Sequence, residues 1–318
     1  MRLAKKVCLI TGTLLLLFVA AGMAGKIWWD AHFFDGYDSQ LPLNAVVRGE
    51  TPEPNYRLVD FTYDGLPGMP VPTLMALPDD TGASPYPCII FLHGIGQDKE
   101  FLKDIAAPFV DAGFAFVSFD QYTRGERKLV NPGWLEQALA FRRRSALNVI
   151  ETRRLVDYLL TRPDIAADRI YLIGASFGAI TGSTAVAFEP RIAAAVMTYG
   201  GGDLDKLLSS DAAKAEMGPY YWPVKKFVAF LTAPSDPVKY VAGIAPRPLL
   251  FQNGTHDRLI PVAAADALYE AARDPKERTL YDSDHVGLDA DQTRQVLDDS
   301  IAWLEKIDAA RVARAPTQ

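Results

Sequence analysis

Cysteine and histidine are scarce in this sequence, and their scarcity removes whole classes of function. The two cysteines are Cys8, inside an N-terminal apolar run, and Cys88, in a short apolar segment, so there is no disulfide framework to build. The four histidines are His32, His93, His256 and His285, and no Cys/His cluster has zinc-ligand spacing, so no metal is expected. Long basic blocks are missing too. Beyond Arg142 to Arg144 no run of positive charge occurs and the formal net charge is -6, which argues against nucleic acid as a partner. Internal repeats and low-complexity tracts are also absent. Apolar residues, by contrast, make up 49% of the 318 positions, ample for a domain with a sizeable core.

One long uncharged run exists. Arg2, Lys5 and Lys6 precede "VCLITGTLLLLFVAAGMAG", residues 7–25, which matches a signal peptide or a short membrane-spanning helix. The basic flank predicts a cytoplasmic N-terminus with the remainder exported, on the periplasmic or extracellular side. Gly22 and Ala24 suit a cleavage site, whereas Trp28 and Trp29 suit an interfacial belt and favour a retained anchor, which would tie the protein to a membrane. Residues 26–55, with Pro42, Pro52 and Pro54, read as a connector with little regular structure.

The folded domain is predicted over 56–310, with a short tail at 311–318. "YRLVDFTYDG" alternates apolar and polar residues, turn chemistry follows, and "VPTLMALP" completes an antiparallel pair expected at a sheet edge, where Pro72 is tolerated. Beyond Pro87 the texture becomes short continuous apolar runs at 88–92, 114–119, 170–173, 193–198 and 249–253, the mark of strands covered on both faces. Helical stretches at 145–161, 261–272 and 291–309 alternate with them, which predicts an α/β fold with a mostly parallel central sheet and helices on both faces. Residues 203–240, rich in aromatics and proline, interrupt the alternation and read as a small cap insertion.

"LIGASFGAI", residues 172–180, places Ser176 in G-x-S-x-G between a strand and a helix, the context of a nucleophile elbow. A serine hydroxyl needs a histidine base oriented by a carboxylate. His285, after the last predicted strand, is the expected base, and Asp257 the expected acid, with Asp203 as the alternative; Asp282 and Asp284 lie too near His285 along the chain. His256, adjacent to Asp257, is expected to point away. Backbone N–H groups of Phe177 and of Ile95, in "FLHGIGQ", are the candidate oxyanion donors, with Gly94 and Gly96 allowing close approach and His93 bracing the loop. Arg124, Tyr221 and Trp222 are candidate substrate contacts, and Arg127 a candidate contact to an anionic group.

"FLHGIG", "GASFG", "NGTHDRLIP" and "SDHVGL", in that order, resemble the α/β-hydrolase fold over about Tyr56 to Lys306, and within it the dienelactone-hydrolase, acetyl-xylan-esterase and prolyl-oligopeptidase-like branch. "DRIYLIGASFGAITG", "PRIAAAVMTYGGGD" and "FDQYTRGER" carry the same likeness. The resemblance implies a serine hydrolase acting on a small-molecule carboxylic ester through Ser176, Asp257 and His285, with no organic cofactor. Two departures refine it. The few dozen residues between the apolar run and Tyr56 cannot form the propeller expected of a prolyl oligopeptidase. A dienelactone hydrolase proper would carry cysteine at position 176, so serine favours ordinary ester chemistry. A peptidase or acyltransferase on the same triad, or a non-catalytic binding protein of this fold, are the alternatives.

Overall fold

A computed structural model describes residues 2–79 and 85–314, which form two compact units, Met1–Asp35 and Gly36–Gln318. The first unit is dominated by helix α1 (Arg2–Ala31), whose segment Ile10–Ala31 is long and apolar enough to cross a membrane. The helix continues past residue 25 through Trp28 and Trp29, so the first residues assigned to the connector are helical. Residues 315–318 of the expected tail lie outside the described residues.

Among the described residues the second unit is built on a sheet of nine strands: β1 (Val46–Pro52), β2 (Tyr56–Leu66), β3 (Met69–Pro78), β4 (Tyr86–Leu92), β5 (Ala115–Phe119), β6 (Ile165–Ala175), β7 (Ile192–Thr198), β8 (Leu249–Gly254) and β9 (Lys276–Tyr281). Their spatial order is β1-β2-β3-β5-β4-β6-β7-β8-β9. Pairing is antiparallel from β1 to β5 and parallel from β5 to β9. The expected mostly parallel sheet is therefore present, with two corrections at its antiparallel end. The connector contains β1, which occupies the edge, and the β2–β3 pair lies one place further in. Every residue of β1 is exposed, so this strand never needed the apolar alternation that reveals a strand in sequence. Pro72 lies in β3, between β2 and β5 rather than in the edge strand, and its carbonyl accepts from Asp120 N at 2.8 Å.

Strands β4, β5, β7 and β8 are buried along their whole length, as their unbroken apolar runs require. On one face pack α3 (Trp134–Leu159), α4 (Phe177–Phe188) and α8 (Val262–Ala271); on the other pack α2 (Leu102–Asp111) and α9 (Ala290–Val312). Residues alternate between these layers along a strand: Cys88, Ile90 and Leu92 of β4 face the first, Ile89 and Phe91 the second. Phe109 of α2 stacks on Phe116 of β5 at 4.5 Å between centroids, and truncating either ring would cost about 3–5 kcal/mol. Helix α3 begins eleven residues earlier than its apolar pattern indicates, because "WLEQALAFRRR" is largely solvent-facing at its start. The insertion between β7 and β8 folds as α5 (Leu204–Leu207), α6 (Asp211–Met217), α7 (Tyr221–Thr232) and 3-10 turns, and its α7 packs on α3 through Trp134 and Phe227.

Chain order reverses beside β4, which has β5 on one side and β6 on the other. Leu92 of β4 pairs with Gly174 of β6, and Ala175 with Thr198 of β7, so the loops after these strands leave the sheet side by side. Such a crevice, at the carboxyl ends of strands that diverge, is where an open α/β sheet can hold a ligand.

Candidate active site

Ser176 sits in that crevice, between the end of β6 and the start of α4, with φ 55° and ψ -116°. A non-glycine residue in such a conformation is strained, and the surroundings must hold it there. Ser176 N donates to Thr198 O at 2.8 Å, and Ser176 O accepts the first bonds of α4 from Ala179 and Ile180. The flanking glycines are steric necessities: a Cβ on Gly174 would stand 2.5 Å from Gly178 O, and one on Gly178 1.8 Å from Leu92 O.

The structure brings Ser176, His285 and Asp257 together. Ser176 Oγ and His285 Nε2 are 2.9 Å apart, and His285 Nδ1 and Asp257 Oδ2 2.7 Å. The other carboxylate oxygen of Asp257 accepts from Leu259 N and Ile260 N, both at 2.8 Å, so this carboxylate has three donors while largely buried. Asp203, the alternative acid, is elsewhere engaged: it caps α5 through Asp205 N and Lys206 N. His256 points away from the serine and meets Asp282 at 2.7 Å on the surface.

Asp284, set aside above as the acid, has a different part here, and Tyr199 is a residue that the sequence did not single out for this site. Asp284 accepts from His285 N at 2.8 Å and from Arg258 N at 3.0 Å, and pairs with the Arg258 guanidinium, so it ties the loop of His285 to the loop of Asp257. Those bonds with Arg258 hold its pKa down at about 2. Tyr199 meets the His285 ring edge to face at 5.6 Å and exchanges a hydrogen bond with Ser283 Oγ at 2.6 Å. The available signals were the adjacency "SDH" and a tyrosine at the end of an apolar strand, neither of which says what its side chain meets.

Beside Ser176 the loop after β4 is braced from behind. His93 is buried, its Nδ1 is 2.9 Å from Gly94 O, and burial pushes its pKa down to about 4, so the ring is neutral. Gln121 donates to His93 O at 2.8 Å, and Gly94 N donates to Gln97 Oε1 at 2.9 Å. A Cβ on Gly94 would press on Gln97 Oε1 at 3.2 Å and reach Ser176 Cβ at an ordinary 3.7 Å, whereas one on Gly96 would meet nothing within 4 Å, so of the two only Gly94 is crowded, and by a side chain that can shift.

A cavity of about 230 Å³ opens at Ser176 and His285, walled by Phe91, Phe101, Ile105, Ile173, Val286 and Leu297. Among the described residues, no Asp, Glu, Lys or Arg lines it. Its walls come from the sheet, α2 and α9 rather than from the insertion, which corrects the expectation for Tyr221 and Trp222. Trp222 is 67% exposed and packs on Tyr221 instead, since α7 turns Lys225, Leu231 and Thr232 inward. Arg124 lines a separate cavity with Lys128, Phe141 and Arg144. Arg127 is spoken for, bonded twice to buried Glu151 at 2.8 and 2.7 Å.

A doubly flanked, mostly parallel sheet with a strained serine on the turn after the inner strand β6, met by a histidine from the last strand's loop, defines an α/β-hydrolase fold. The chain belongs to the dienelactone hydrolase family, whose model matches residues 71–280. Among curated relatives, a 2,6-dihydropseudooxynicotine hydrolase of Paenarthrobacter nicotinovorans is 27% identical over 189 residues, 59% of this chain but only 46% of that protein. Esterase YjfP of Escherichia coli K12 is 24% identical over 245 residues, covering 74% of this chain and 95% of that one. Among solved structures, an acetyl xylan esterase from Paenibacillus sp. R4 superposes with a TM-score of 0.69 at 18% identity, over 87% of this chain and 93% of its own. That likeness is one of fold.

Proposed function

We propose that this chain is a serine hydrolase of carboxylic esters. The observation that carries the reading is the continuous line from Ser176 Oγ through His285 to Asp257, on a serine held in strained backbone geometry at a helix start. His285 Nε2 takes the hydroxyl proton as Ser176 Oγ attacks the ester carbonyl, and Asp257 holds the imidazole tautomer and balances its charge. The N–H groups of Phe177 and Ile95 receive the tetrahedral oxyanion. The protonated His285 then gives its proton to the departing alcohol, and water, activated by the same ring, releases the acid.

The uncharged cavity fits the acyl group. It exceeds the ~150 Å³ cavity known to hold benzene, so acyl chains of about two to eight carbons match its size. Arg124 is kept as a contact for an anionic part of the alcohol side. Helix α1 acts as the export signal or anchor, which places the second unit outside the cytoplasm; fractionation into soluble and membrane pools tests that part.

The reaction is tested by turnover of aryl esters from acetyl to dodecanoyl, alongside peptidyl anilides, with wild type, Ser176→Ala and His285→Ala. The reading requires ester hydrolysis by wild type alone and little anilide cleavage. Ester turnover that survives in Ser176→Ala would overturn it, and efficient anilide cleavage would make the protein a peptidase.

A further inference from the structure

Arg144 is a buried cation that pairs with no acid among the described residues. The residue is 1% exposed, yet its guanidinium bonds go to neutral acceptors: Nε and Nη2 to Gln121 Oε1 at 3.0 and 2.6 Å, and Nη1 to Ile95 O at 3.3 Å. Burial, with Arg124 adding repulsion, holds its pKa down at about 9. Placing an unneutralised charge there disfavours folding, and an apolar side chain of similar volume would avoid that penalty. The guanidinium must therefore supply something that packing alone does not.

Its contacts indicate what that is. The Arg144 guanidinium lies 4.6 Å from the centroid of the Phe177 ring, while its Nη1 reaches the Ile95 carbonyl. One planar group thus touches both residues whose N–H groups serve as oxyanion donors. The Gly94–Ile95 peptide, which carries the Ile95 N–H, has its carbonyl held by His93 Nδ1 and Gln97 N, whereas the next peptide, Ile95–Gly96, is followed by a glycine and is the one that Arg144 holds. Gln121, gripped by two of the guanidinium bonds, passes the hold on to the His93 carbonyl at the loop's start. Arg144 comes from α3 and Gln121 from the loop after β5, so two elements outside the triad converge on this backbone.

We propose that Arg144 is a positioning residue that fixes the two oxyanion donors relative to one another, a role that rests on the ester-hydrolase reading of Ser176. The fork geometry is the essential feature, since a lysine has one nitrogen where this arrangement uses three. Loss of the hold frees the Ile95–Gly96 peptide and loosens the Ile95 backbone from its far side, so that the adjoining Ile95 N–H is aimed less well, which penalises the tetrahedral state more than the bound ester.

The test compares wild type, Arg144→Met and Arg144→Lys for folding by near-ultraviolet circular dichroism, for kcat and KM on a short aryl ester, for fluorophosphonate labelling rate, and for affinity toward an aryl boronic acid. The boronic acid adds to Ser176 Oγ and reports tetrahedral binding directly. Arg144→Met should fold, lose about 10- to 100-fold in kcat with KM changed less than about threefold, and lose boronic-acid affinity in step. Arg144→Lys should recover part of the loss. If Arg144→Met does not fold, the lysine variant decides alone: reduced kcat and boronic-acid affinity at unchanged KM support the role. A folded variant with wild-type kcat, or a loss confined to KM, overturns it. Failure of wild type to label at all would instead remove the ester-hydrolase reading on which the role rests.

Discussion

Replacing Gly178 with alanine probes how closely α4 is pressed against the loop after β4. The added Cβ would stand 1.8 Å from Leu92 O, 2.5 Å from Leu92 C and 2.9 Å from His93 O, all backbone atoms that no rotamer change can move aside. Real Cβ atoms essentially never come closer than 3.0 Å, so α4 and the β4 end must separate by at least 1.2 Å. That movement separates Phe177 from Ile95 and displaces Ser176 from His285. Misplacement by about 1 Å costs on the order of 100-fold in rate, and overpacking of this kind costs about 1–3 kcal/mol in stability. Gly96→Ala is the control, because its Cβ would meet nothing within 4 Å. The assay is aryl-ester turnover together with urea unfolding on both variants. Gly178→Ala should lose about 100-fold or more in kcat and at least 1 kcal/mol, with Gly96→Ala near wild type in both. A Gly178→Ala protein with wild-type rate and stability would refute the close approach of elbow and loop.

The remaining expectations follow from other parts of the site. Asp257→Asn should lower kcat by about 10³- to 10⁴-fold while the fold persists, since the amide no longer fixes the tautomer; steady-state kinetics on folded protein checks it, and a loss below tenfold contradicts the assignment. Asp284→Asn weakens the tie between the Asp257 and His285 loops and should cost about tenfold in kcat, well short of Asp257→Asn, when the two are compared on one ester. His93 has its folded pKa lowered to about 4 from an ordinary 6.5, so only the unfolded chain binds a proton between these values and stability falls as pH drops through that window. The loss approaches about 3 kcal/mol by pH 4, and urea unfolding at pH 7 and pH 4.5 should show a smaller decline in His93→Gln than in wild type; equal declines would count against it. Ile105→Trp fills the apolar cavity and should abolish octanoyl turnover while sparing acetyl, and an unchanged chain-length profile would place the acyl group elsewhere.

Legibility in the sequence tracked burial. The five inner runs from 88–92 to 249–253 had to be apolar because helices cover both of their faces, and the strands formed there. The exposed β1 carried no such pattern and read as connector. G-x-S-x-G was legible because sterics around Gly174 and Gly178 restrict composition, and the order of Ser176, Asp257 and His285 followed from the strands that deliver them. What could not be read were contacts between elements distant in sequence. Arg144 reaching Ile95, Asp284 joining two loops, and α9 supplying a cavity wall with Val296 and Leu297 depend on how helices settle on the sheet, which residue types alone do not specify. The aromatics of α7 misled for the same reason: Trp222 carries apolar area but faces solvent, away from the cavity.

The most direct test of the central claim is to treat the folded protein with a fluorophosphonate and locate the adduct by peptide mass mapping. One modification is expected, on Ser176, and it is lost in His285→Ala although Ser176 remains in place. A folded protein that takes up no label, or that carries it on another residue, would contradict the account.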